Sequence, residues 1–266
     1  MSERFSRQGF LGDHSEDILR SLMVGVVGVS GGGSHVVQQL AHVGVGHFQL
    51  YDPQRIDDSN LNRLVGATAA DVDCAEWKTA IGRRVVEGVN PAADVIEIRN
   101  DWRNEAIRLR DCDVIVSCVD TYQARSELEV QARRYLIPHL DIGMDVHYQA
   151  DNTHLLAGQL ILSMPGRPCM RCVGFLREEL LADEARRYGA AGSKPQVVWP
   201  NGILASLAVG VLVQLFTPWH RQLDLPVYLE LDGNRNNVSR SNRLGAIGST
   251  CSHFSETDLG DPWFRA

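Results

Sequence analysis

Short apolar runs alternate with amphipathic stretches along most of the chain. Met23-Val24-Gly25-Val26-Val27-Gly28-Val29 is almost continuously apolar and only seven residues long, which predicts a strand buried on both faces, as in a parallel sheet. Gly31, Gly32 and Gly33 follow at once. Val36, Val37, Leu40 and Val43 then recur at helical spacing as far as Gly44, a natural C-terminal stop. Residues 47–51 predict a second strand that ends at Asp52. The alternation continues with a helix over 71–87, strands over 95–98 and 114–118, a helix over 122–135, and strands over 137–142 and 159–164. Residues 175–188 are charged and helix-forming, and 189–194 predict a mobile segment. Residues 203–216 are apolar nearly all round, which predicts a buried helix or an interface. A last strand is expected at 227–231, then a polar, loop-like tail from Asn234. This order is that of an α/β, Rossmann-like, doubly wound and mainly parallel sheet with a C-terminal extension. With no internal repeat and no shift in composition, one domain over 1–266 is expected. Residues 1–165 would be its nucleotide-binding part, and 166–266 a crossover segment, interface helix and tail.

Composition narrows the classes of function. A net charge of −7 argues against a nucleic-acid binder. No apolar run approaches the roughly 20 residues that span a bilayer, and the N-terminus lacks the apolar stretch of a secretory signal. A cytoplasmic protein with no membrane partner is expected. Its six cysteines then read as core residues or metal ligands rather than disulfides.

The chemistry starts at the glycine turn. Small residues at Gly28, Gly31 and Gly33 let the backbone approach a phosphate, and the following helix offers free N–H groups and a positive dipole end. Ser30 stands where a strict G-x-G-x-x-G has glycine. Asp52, about 20 residues on, is placed to accept from ribose hydroxyls. Alone, these two features would suggest an NAD-dependent oxidoreductase. The polar run Asp57-Asp58-Ser59-Asn60-Leu61-Asn62-Arg63, with Lys78 beyond it, shifts the balance, because a triphosphate needs fixed cations and donors around it.

Four blocks in order resemble the MoeB/ThiF/HesA family of ubiquitin-activating-type adenylyltransferases. They are Arg4-Phe5-Ser6-Arg7-Gln8; the glycine turn with Gly44-Val45-Gly46; Asp52 with Ser59-Asn60-Leu61-Asn62-Arg63; and Asp120 with Arg125. The resemblance implies that Asp52 holds the ribose, that Asn60, Arg63 and Lys78 contact the phosphates, and that Asp120 binds Mg²⁺. It also implies that Arg7 reaches into the neighbouring subunit's ATP site in a homodimer. Asp120 follows a strand's carboxyl end, where open α/β sheets place ligands, and a carboxylate suits Mg²⁺. A helix N-cap is the competing role for it.

The implied reaction is attack of a C-terminal carboxylate of a ubiquitin-like protein on the α-phosphate of ATP, giving an acyl-adenylate and pyrophosphate. The catalytic side chains would be Arg7, Arg63, Lys78 and Asp120. A peptide or a tRNA nucleoside is the alternative carboxylate, and a silent scaffold is a further one. Relatives pass the product to a cysteine and a conjugating enzyme or to a sulfur donor; here 173–200 holds no cysteine. Cys112 and Cys118 read as core residues, and Cys74 lies near the nucleotide loop. Cys169-x-x-Cys172 is half of a structural zinc site. Cys251 and His253 would complete a Cys₃His set with unusual spacing; otherwise the pair is a free C-x-x-C and Cys251 is unrelated. His35 and His42 are expected on the polar or packing face of the first helix, and Trp199 is expected to pack.

Overall fold

The computed structural model describes residues 3–186, 195–220, 227–248, 250–254 and 260. Its eight strands are β1 (Met23–Val27), β2 (His47–Tyr51), β3 (Asp94–Ile98), β4 (Val114–Ser117), β5 (His139–Tyr148), β6 (His154–Ser163), β7 (Val227–Asp232) and β8 (Asn237–Arg240). They form one sheet in the order β3-β2-β1-β4-β5-β6-β7-β8. Pairing is parallel from β3 to β5 and antiparallel from β5 to β8. The helices are α1 (Ser15–Ser21), α2 (Gly31–Val43), α3 (Ala69–Asp73), α4 (Lys78–Val89), α5 (Tyr122–Arg134), α6 (Glu178–Arg186) and α7 (Val198–Phe216).

β1 and β4 at the centre are apolar at nearly every position because both faces of the sheet are covered. Successive side chains point to opposite faces. Val24, Val26, Val114 and Val116 thus join Val37 and Leu40 of α2 and Leu204 and Leu212 of α7 in one core. Val27 and Ile115 join Trp102, Leu109 and Leu128 in the other. Gly44 ends α2 with a left-handed φ of 98°, and a Cβ there would meet the Phe5 ring at 2.8 Å. The N-terminal 3-10 helix Glu3–Leu11 is therefore seated at the far end of α2 from the glycine turn.

Several boundaries differ from the sequence reading. The single helix expected over 71–87 is two. Thr68 and Asp71 close a capping box that starts α3 early, Ala75 turns left-handed at φ 48°, and the chain restarts as α4 at Lys78. β5 and β6 run on into a long hairpin whose polar outer half gave no apolar signal. The tail is not all loop. β8 follows a turn in which Asn236 takes φ 52°, a conformation asparagine tolerates, and the strand is a short polar edge. α7 starts at Val198 and takes Pro200 into its first turn, where the missing N–H costs nothing. At 19 residues with mean hydropathy 1.6, α7 is long and apolar enough by composition to cross a bilayer, but half of it is buried within the protein. Trp199 does not pack; it is 52% exposed. Residues 189–194 lie outside the described residues.

Candidate nucleotide site and cysteine–histidine cluster

β1 lies between β2 and β4, so the chain leaves β1 and β4 towards opposite sides and a crevice opens at their carboxyl ends. The glycine turn fills that crevice. Gly28 has φ 89°, and a Cβ there would sit 2.8 Å from the Cys118 carbonyl oxygen. A Cβ on Gly33 would collide with the Gly28 carbonyl, and one on Gly31 would approach Asn201 Nδ2 to 2.6 Å. No side chain caps the first turn of α2 at Ser30. Ser34 Oγ donates to the Gly31 carbonyl and accepts from Val65 N, each at 3.0 Å, which ties the turn to the polar loop.

Asp52 is buried at the end of β2. Its Oδ2 accepts from Val29 N and its Oδ1 from Gln54 N, each at 2.9 Å. Burial raises its pKa, against the pull of Lys78 and of the two N–H donors. Lys78 opens α4 and is only 4% exposed, with its Nζ donating to Gln54 Oε1 at 2.7 Å. Burial lowers the lysine's pKa; Asp52, Asp57 and Asp120 raise it, and Arg63 lowers it further. These interactions bring Asp52, Asp57, Arg63, Lys78 and Asp120 into one electrostatic neighbourhood. Arg63 Nη1 donates to Ser59 O at 2.5 Å and Asn62 Oδ1 at 2.9 Å, while its Nε is buried without a partner. Asn60 Nδ2 donates to Asp57 Oδ1 at 3.1 Å, and Asn60 Oδ1 is likewise buried and unpartnered. Each such atom costs about 1–3 kcal/mol. Two in one short loop, beside a buried ammonium, mark a place shaped for a polar ligand.

Asp120 is exposed just beyond β4. It does not cap α5: Thr121 does, its Oγ1 accepting from Ala124 N at 3.2 Å. Glu184 of α6 accepts from Tyr122 N and Gln123 N at 3.1 and 2.9 Å. Arg7 is exposed on the N-terminal 3-10 helix, towards the other end of α2. Sequence reading missed Gln54, Glu184 and the stretch before α7, where Gln196 O accepts from Asn62 Nδ2 at 3.1 Å. None of these carries a motif; only the folded chain puts them here.

The ligand atoms of Cys169, Cys172, Cys251 and His253 all lie within 4.8 Å of one another. Cys169 Sγ is 3.7 Å from Cys172 Sγ and 3.6 Å from His253 Nδ1. Cys172 Sγ is 3.6 Å from Cys251 Sγ and 3.2 Å from His253 Nδ1. A tetrahedron with Zn–S near 2.3 Å has edges of about 3.7 Å, so this donor set fits zinc in chemistry and size. All six cysteines are free; Cys74 is exposed and Cys112 buried. Burial pushes the Cys118 thiol well above its usual range. His35 is half-buried between α2 and Gly202 of α7, and burial lowers its pKa.

A second buried charge cluster runs along α5, where Arg125, Glu129 and Arg133 are spaced four apart on one inward face. Arg125 pairs with Asp141 of β5. Ser117 Oγ donates to Asp141 Oδ1 at 2.6 Å and takes a bond from His139 Nε2 at 2.8 Å. Glu129 accepts from Ser163 Oγ at 2.5 Å and Met170 N at 2.8 Å. Arg133 donates to Ser163 Oγ and the Arg167 carbonyl, each at 2.9 Å, and lies 5.2 Å from the Phe254 ring centroid. This cluster therefore braces the cysteine-bearing turn.

Residues 5–252 match the ThiF family. The chain belongs to the ThiF family. Among similar ThiF-type proteins, the SAMP-activating enzyme E1 of Haloferax volcanii is 30% identical over 64% of this chain, which spans 61% of that relative's length. The sulfur carrier protein adenylyltransferase of Thermus thermophilus is 28% identical over 92% of this chain and 90% of its own. The crystal structure of E. coli MccB with ATP superposes with a TM-score of 0.74 at 20% identity, covering 94% of this chain and 73% of that one. At that identity the likeness concerns the fold.

Proposed function

We propose that this ThiF-family chain binds ATP with Mg²⁺ and adenylates the C-terminal carboxylate of a ubiquitin-like or sulfur-carrier protein. One observation carries the reading. Asp52, Arg63, Lys78 and Asp120 converge past the carboxyl ends of β1, β2 and β4, beside two buried, unpartnered polar atoms of the same loop. The names of the Haloferax and Thermus relatives support the reaction class.

Asp52 accepts from the ribose; its oxygens keep lone pairs beyond the two backbone bonds. Asn60, Arg63 and Lys78 meet the phosphates, and the free N–H groups of the first turn of α2 add donors. Asp120 holds Mg²⁺, which supplies charge neutralisation at the phosphates. A carboxylate oxygen of the acceptor attacks the α-phosphorus. The bond from that phosphorus to the pyrophosphate oxygen breaks, and the electron pair leaves with pyrophosphate. The protein supplies alignment and fixed positive charge rather than a nucleophile. Arg7, remote from its own glycine turn, acts on the partner's site in a homodimer. Cys169, Cys172, Cys251 and His253 hold a structural zinc that ties the tail to the body of the fold.

ATP–pyrophosphate exchange tests the reaction. Exchange should appear with a ubiquitin-like acceptor and vanish when its last residues are removed. Exchange only with a short peptide or a tRNA nucleoside would reassign the acceptor, and binding of NADH but not ATP would end the reading. For the metal, one zinc per chain is expected on elemental analysis of the purified protein, and none would defeat the Cys₃His assignment.

A further inference from the structure

The amide of Asn201, just inside the start of α7, lies across the first residues of α2. The residue is only 6% exposed. A Cβ on Gly31 would stand 2.6 Å from its Nδ2, and one on Gly32 would stand 3.5 Å from its Oδ1. Gln196 Oε1 lies 3.2 Å from the same Gly31 position. The polar loop reaches over to this stretch, where Asn62 Nδ2 donates to Gln196 O at 3.1 Å. We propose that Asn201 is a further binding residue of the nucleotide site: its Nδ2 donates to the α-phosphate of ATP from the α7 side, beside the glycine turn. This rests on the ATP reading above.

Hydrogen-bonding capacity gives the reason. One of the two Nδ2 hydrogens is spent within the same stretch, on Val197 O at 2.9 Å. Among the described residues the other has no acceptor. Buried amides seldom leave a donor idle. This one stands beside the first turn of α2, which no side chain caps at Ser30. Glycine at 31 and 32 keeps the space clear of side chains. A phosphate oxygen at the turn therefore meets backbone and side-chain donors together. The polar groups on the α7 side bring no charge: Gln196 is an amide, and burial lowers the pKa of His35, one turn further along α2. The fixed cations Arg63 and Lys78 are grouped instead with Asp57 and Asp120. This division suits the reaction. The cations meet the pyrophosphate as it gains charge on leaving, while neutral donors hold the α-phosphate without pairing with the incoming carboxylate.

The test uses the intact chain with adenosine, with AMP, whose single phosphate is the α-phosphate, and with MgATP. In calorimetry, Asn201→Leu, which keeps the branched shape but offers no donor, should weaken AMP and MgATP alike. The expected loss is about tenfold, the size of one charge-assisted bond, with adenosine unchanged within about twofold. Asn201→Asp, which sets a carboxylate against the phosphate, should weaken both further. In NMR of the native chain, AMP but not adenosine should move the Asn201 side-chain amide proton that is not bonded to Val197. Native AMP affinity in both variants, a loss confined to MgATP, or an equal loss for adenosine overturns the proposal. An amide proton that AMP leaves unmoved overturns it too, whether or not the variants fold. A native chain that binds NADH but neither AMP nor MgATP ends the ATP reading and the proposal with it. Normal MgATP binding in the native chain and in both variants ends the proposal alone.

Discussion

Two groups of buried charges, one along α5 and one at the crevice beside β1, are finished differently. Along α5 nearly every charge is answered: Arg125 by Asp141, Glu129 by Ser163 and Met170 N, Arg133 by Ser163 and two carbonyls. At the crevice beside β1, the charges are gathered but left open. Lys78 rests on an amide, and Asn60 Oδ1 and Arg63 Nε have no partner. Burial is equally deep at the heart of both, so depth alone does not separate architecture from chemistry. What separates them is whether the charged groups have their hydrogen-bonding capacity used up.

The contrast can be broken first at Arg125. Arg125→Met strands the Asp141 carboxylate in the core and should cost about 3–5 kcal/mol in urea unfolding. Changing Asp141→Leu as well should recover most of that. At the open cluster the effect should fall on activity. Asp120→Ala should cut ATP–pyrophosphate exchange roughly 10²-fold or more, and stability should stay within about 0.5 kcal/mol, since Thr121 and not Asp120 caps α5. Full exchange in the folded variant would remove Asp120 from the site. A third effect concerns His139, wholly buried, whose pKa burial lowers from 6.5 to about 4. Ser117 donates to Asp141, so neutral His139 carries its proton on Nε2 and donates to Ser117, and its bare, buried Nδ1 has no donor. The unfolded chain takes up that proton below pH 6.5 and the folded one does not. Stability should therefore fall between pH 6.5 and 4, by up to about 3 kcal/mol at 1.36 per pH unit. In His139→Gln that part of the pH dependence should be absent.

The parallel half of the fold was legible because strands covered on both faces are apolar at nearly every position, as 23–29 and 114–118 are. The antiparallel half was legible only in part. β8 and the outer part of the β5–β6 hairpin meet solvent and carry polar residues, so the apolar signal ends before the strands do. Asp52, Asn60, Arg63, Lys78 and Asp120 were singled out by their types and by the family resemblance, and the fold gathers them at the crevice beside β1. Gln54 was not, because the three bonds that join it to Asp52 and Lys78 exist only in the folded chain. The α5 cluster went unread for a similar reason: Arg125, Glu129 and Arg133 look like one edge of a solvated helix until the packing on β5 and β6 is known. The spacing Cys251-x-His253 gave little, whereas the folded chain brings all four ligand atoms within 4.8 Å of one another.

The position of α7 late in the chain bears on how the protein is made. On the ribosome this greasy segment emerges after α2, β5 and β6, which form its seat. The N-terminal part of a chain leaves the ribosome first, so the elements that form the berth are available before the helix is. Had the same nineteen residues come first, they would have met the membrane-insertion machinery with nothing to hide against.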